Sequence, residues 1–88
     1  MSDLTAERWA TETLAKLHAM EAKCSDSDLF CVGYLIPQVE LVEVEFGQEP
    51  ATVEQWQARY HDYVERCLQT DQMGEDDVSR IREIVREL

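Results

Sequence analysis

Residues 25–46, SDSDLFCVGYLIPQVELVEVEF, decide the fold class, because their apolar positions can be read as a strand or as a helix. As a strand, VELVEVEF alternates, but Val39 and Leu41 lie in one phase while Val42, Val44 and Phe46 lie in the other. Neither face would then be continuously apolar without a bulge. As a helix, Val32, Leu35, Val39, Val42 and Phe46 follow one another at steps of three and four, and Phe30, Leu41 and Val44 populate a second face. No other segment reads as a strand, and a lone strand would leave its backbone groups unpaired unless another copy of the chain supplied a neighbour. The segment is therefore expected to be a helix over 26–46, opened by Ser25 or Ser27 and ending at Gly47.

A proline inside that helix has a physical consequence. It lacks a donor, and its ring presses on the carbonyl four residues back, at a cost of roughly 3 kcal/mol. For Pro37 that carbonyl belongs to Gly33, whose missing side chain lets the backbone yield, so a kink is expected near Gly33 and Pro37. A helix apolar on two sides sits between neighbours, which places this one at the centre of the molecule.

Three amphipathic segments supply the neighbours. Over 3–24, Ala6, Ala10, Thr13, Leu17, Met20 and Cys24 recur at helical spacing with Trp9 and Leu14 beside them; Ser2 or Asp3 can cap the start, and Glu7 and Glu12 precede Lys16 and Lys23. Over 52–70, Val53, Trp56, Tyr60, Tyr63, Val64, Cys67 and Leu68 form a stripe, Thr52 and Gln55 make a capping box, and Pro50 stops any helix from running in from upstream. Over 75–88, Val78, Ile81, Ile84, Val85 and Leu88 share one side, with Glu75, Asp76 and Asp77 in the first turn and Arg80, Arg82 and Arg86 after them. Short loops make sequential helices antiparallel, so the expected fold is all-α, a single domain over 1–88 built as a small antiparallel bundle of four helices with the second one kinked. A domain of 88 residues can fold alone, burying roughly 60 to 65% of its unfolded surface.

Charge narrows the function classes. Nineteen Asp and Glu against eight Lys and Arg give a formal charge of −11, which repels phosphate and gains little from counterion release. Direct binding of nucleic acid or of an anionic membrane is not expected. No apolar run approaches the roughly 20 residues that span a bilayer, and MSDLTAERWATETL lacks a basic segment followed by an apolar one, so the expected location is the cytoplasm. Cys24, Cys31 and Cys67 are odd in number and unpaired in spacing, and are read as free thiols.

Catalytic and metal chemistry find no pattern to rest on. His18 and His61 fall in different helices, and Cys24 and Cys31 stand seven apart across a helix start, whereas a zinc site needs about four converging ligands. A cysteine nucleophile needs a base and an electropositive setting, and these surroundings are acidic. DQMGEDDVSRI has neither a glycine at the central position a calcium loop requires nor its terminal glutamate. Neither an enzyme nor a cofactor is expected.

The block SDSDLFCVGYL, residues 25–35, resembles the SDDELFxxGYL signature of the YfcL family, short acidic bacterial proteins with no assigned biochemical activity. The matching positions are Asp26, Asp28, Leu29, Phe30, Gly33, Tyr34 and Leu35; the ending MGEDDVSRIREIVREL also looks like the family's, and Pro37 departs from its pattern. The resemblance implies the helical fold and carries no catalytic residues.

The acidic middle is what remains. No Lys or Arg occurs between Cys24 and Arg59, while Asp26, Asp28, Glu40, Glu43, Glu45, Glu49 and Glu54 are all negative. Such a face serves solubility, or it docks a basic protein whose encounter is accelerated by the field and weakened by salt. The candidate docking residues are Asp26, Asp28, Tyr34, Glu40, Glu43 and Glu45, with Tyr34 expected to pack and keep its hydroxyl at the rim. The expected function is a non-catalytic interaction module for a basic protein partner; the alternative is a mimic of the DNA backbone, which requires paired rows of carboxylates. An apolar second helix in so small a core can also leave a patch over, for which a homodimer about a two-fold axis is the commonest solution.

Overall fold

The computed structural model describes residues 3–47 and 49–88 and shows four α-helices packed against each other. They are α1 (Ala6–Lys23), α2 (Asp26–Phe46), α3 (Val53–Thr70) and α4 (Glu75–Glu87). There is no strand among the described residues; a single antiparallel bridge joins Leu4 to Ala51.

Local chemistry accounts for each boundary. The hydroxyl of Ser25 accepts from the Asp28 amide and opens α2, and Gly47, at φ 56°, closes it with its N–H on the Glu43 carbonyl. A side chain at that φ would be strained, so the helix ends where glycine allows the turn. Thr52 and Gln55 form the expected capping box, Thr52 Oγ1 accepting from the Gln55 amide and Gln55 Oε1 accepting from the Thr52 amide.

The start of α1 differs from expectation. The helix begins at Ala6 rather than residue 3, and its cap is Thr5, whose side chain accepts from the Arg8 amide, in place of Asp3. Ser2, the other expected cap, lies outside the described residues. The cause is tertiary: Leu4 exchanges two backbone hydrogen bonds with Ala51, at 2.8 and 3.0 Å, and its carbonyl also accepts from Trp56 Nε1 at 2.9 Å. An extended Leu4 satisfies the buried indole of Trp56, which a helical turn there would not do.

Contacts between helix ends give the directions. Trp9, early in α1, stacks on Trp56, early in α3, with centroids 5.2 Å apart, and Phe46 at the end of α2 meets Trp56 edge-on at 6.1 Å. At the opposite end Tyr34 of α2 reaches Asp71 just past α3, and Asp28 of α2 reaches Arg80 of α4. Successive helices therefore run in alternating directions, and α2 packs against all three others. Its buried face is Cys31, Val32, Leu35, Gln38, Val39 and Val42, set against Trp9, Leu17, Trp56, Tyr60, Val64, Ile81 and Ile84 in one core. Tyr60 Oη finds its partner in the Leu35 carbonyl at 2.9 Å, inside that core.

Pro37 lies inside α2, which is helical without interruption from Asp26 to Phe46. A methyl group built on Gly33 would meet nothing within 4 Å, so there is room for a side chain one turn before the ring of Pro37. α2 is central, yet only one of its two apolar faces is covered.

Candidate functional site

The uncovered face of α2 is the most distinctive surface of the molecule. Phe30 is 53% exposed, Leu41 48% and Val44 79%, and Gly33 and Pro37 are exposed between them. Phe30, Tyr34, Pro37, Leu41 and Val44 follow at steps of four, three, four and three residues, so on a helix they form one continuous strip. From Phe30 to Val44 it is about 21 Å long at the α-helical rise. The sequence placed Phe30, Leu41 and Val44 together on a second face, expected to lie between neighbours unless the small core left a patch over. The opposite face alone fills the core, which leaves this one to solvent.

The six candidate docking residues separate into two groups. Asp26, Glu40 and Glu45 are exposed, Glu43 is half-buried, and none of the four enters an ion pair or side-chain hydrogen bond among the described residues. Asp28 and Tyr34 are already occupied. The two oxygens of Asp28 accept from Arg80 Nε at 3.0 Å and Nη2 at 3.1 Å, a forked contact tying α2 to α4. Tyr34 packs half-buried as expected and donates its hydroxyl to Asp71 Oδ2 at 2.7 Å. Burial, then the hydrogen bond to the Asp71 carboxylate, pushes the Tyr34 phenol well above its ordinary range, so it stays a neutral donor. Neither Arg80 nor Asp71 could be assigned from local sequence, since they stand 52 and 37 residues from their partners.

Six of the eight Lys and Arg are engaged away from α2's outer face. Arg8 pairs with Glu12, Arg82 with Glu65 and Arg80 with Asp28; Lys16 donates to the Leu88 carbonyl. Arg59 lies over the rings of Phe46 and Trp56, at 4.5 and 4.8 Å, and Arg66 over Tyr63. The strip is thus framed by carboxylates: Asp26 one turn before Phe30, Glu40 along one edge and Glu45 along the other.

Elsewhere the groups that carry chemistry are dispersed. His18 and His61 are both exposed, beside Glu21 and Glu65, and no cluster of three or more His, Cys, Asp or Glu side chains suited to a metal ion occurs among the described residues. All three cysteines are free. Burial, then the charges of Asp77 and Asp28, raises Cys31; burial, then Asp71, raises Cys67, whose thiol donates to Gln38 Oε1 at 3.4 Å. Both shifts oppose thiolate formation. A cleft of about 500 Å³ opens between the end of α1, the start of α2 and α4, lined by charges of both signs, Lys23 and Arg80 against Asp28 and Glu87, of which Asp28 and Arg80 pair with each other. No helix among the described residues is long and apolar enough to cross a membrane.

Comparison with models of known protein families, with curated proteins and with solved structures finds no match for this chain.

Proposed function

We propose that the protein is a non-catalytic interaction module that docks a basic protein partner through the outer face of α2. The observation that carries this reading is that, among the described residues, Asp26, Glu40, Glu43 and Glu45 enter no ion pair on the helix that organises the core. Charges left unpaired on a rigid element keep their field for an incoming partner, which accelerates encounter and selects against anionic competitors. The resemblance of residues 25–35 to the YfcL block belongs to the same proposal; it adds no activity to it.

Mimicry of a DNA backbone is supported less well. Exposed carboxylates occur on all four helices, among them Glu7, Glu21, Glu40, Asp62, Glu75 and Glu83, where mimicry calls for two ordered rows on one side.

The test is capture on immobilised full-length chain at low salt, followed by elution at high salt. Basic protein is expected in the salt-eluted fraction of the wild type and not of a Glu40→Gln/Glu45→Gln variant. Equal recovery on both, or none on either, refutes the docking role of this face.

A further inference from the structure

We infer that the partner presents an amphipathic helix, with an apolar seam that seats lengthwise on Phe30, Tyr34, Pro37, Leu41 and Val44 and with Lys or Arg along both of its flanks. The inference rests on the docking role proposed above and adds the form of the ligand.

The repeat of the strip selects the shape. Phe30, Pro37 and Val44 recur every seven residues, with Tyr34 and Leu41 four after the first two, the spacing that lets one helix lie along another with side chains interlocking. An extended peptide adds to a sheet edge through its backbone, and α2 is a helix that offers no such edge. Gly33, exposed with no side chain within 4 Å of where its Cβ would stand, leaves room for a partner backbone to approach closely.

The intrinsic cost of two of these residues points the same way. Gly33 and Pro37 both weaken an α-helix, and both face outward, where no packing inside the molecule calls for them. Local rules are broken in this manner where a surface serves something beyond the fold.

Charge then chooses the occupant. A second copy would bring two chains of formal charge −11 together, with no Lys or Arg between residues 24 and 59 to face Asp26, Glu40 or Glu45 of the other. A helix with cations on both flanks pairs with both edges of the strip while its seam covers the exposed apolar surface, so one ligand satisfies both features.

The probe is a synthetic peptide of about 18 residues, five helical turns, with leucines at the same alternating steps of four and three, Lys and Arg beside them and glutamine on the far side. Its control has the same composition, shuffled so that the leucines are spread around the helix. Titration of the full chain by calorimetry at low salt is expected to show the ordered peptide binding at least about tenfold tighter, a difference of about 1.4 kcal/mol, with a gain of helical circular dichroism. In a Leu41→Ser/Val44→Ser variant, checked by its melting to remain folded since both side chains are exposed, that preference is expected to vanish. Equal binding of the two peptides, or a preference that survives the variant, overturns the helical seam and leaves charge-driven docking standing. Absence of binding by either peptide overturns both. A dimer seen by light scattering that the same variant dissociates overturns the partner helix in favour of a second copy.

Discussion

Single side chains in this protein are held by partners remote in sequence, and their removal should be read accordingly. Tyr60 is the buried example: its hydroxyl donates to the Leu35 carbonyl, which also receives the helical bond from the Val39 amide. Tyr60→Phe therefore removes a donor without orphaning the acceptor, and the expected loss is about 0.5–1.5 kcal/mol in urea unfolding. Glu65 is the titrating example. The hydrogen bonds from Arg82, at 2.9 and 3.0 Å, hold its carboxyl below the ordinary glutamate value, against a smaller opposing effect of burial. A pKa lowered in the folded state stabilises above the unfolded value, near about 4.3, and that contribution disappears as the pH falls through the folded value. The Glu65→Gln variant is thus expected to be less stable than wild type at neutral pH. The gap should close on acidification, measured as the difference between their urea midpoints.

Among the elements, the four helices were legible because each depends on spacing within a few residues, and the capping box at Thr52 and Gln55 and the stop at Gly47 depend on less. The start of α1 was not, since the pairing of Leu4 with Ala51 and Trp56 depends on contacts about fifty residues away. The outer face of α2 was half legible: its apolar membership follows from periodicity, its exposure does not. Whether a second apolar face is covered depends on how many helices remain to cover it, and α1, α3 and α4 all gather on the Val32, Leu35, Val39 and Val42 side. The same face makes two predictions about helix energetics. Gly33→Ala should stabilise the fold by about 0.5–1 kcal/mol, because the new methyl group meets no side chain and the helix gains propensity. Pro37→Ala should stabilise more, up to about 3 kcal/mol, by restoring the donor to the Gly33 carbonyl. Thermal or urea unfolding of both variants checks this, and destabilisation by Gly33→Ala would reinstate a local need for glycine beside the proline.

At the scale of the whole molecule, charge acts on folding and on docking with opposite signs. A formal charge of −11 on 88 residues, with exposed carboxylates on all four helices, makes the compact state repel itself. Salt shortens the range of that repulsion from about 30 Å at 0.01 M to about 3 Å at 1 M, while the core of Trp9, Leu17, Leu35, Trp56 and Ile81 carries no charge to be screened. The melting temperature is therefore expected to rise with sodium chloride and level off once the Debye length falls below the spacing of the surface charges. A docking surface made of Asp26, Glu40 and Glu45 responds in the other direction, because the same screening weakens its attraction for a basic partner. Measured side by side, stability and affinity should diverge across one salt series, so a complex that dissociates at high salt does so from a chain that is more firmly folded. Parallel loss of both would show instead that the ion pairs of Arg80 with Asp28 and Arg82 with Glu65 dominate the electrostatics, and that the unpaired carboxylates contribute little to either property.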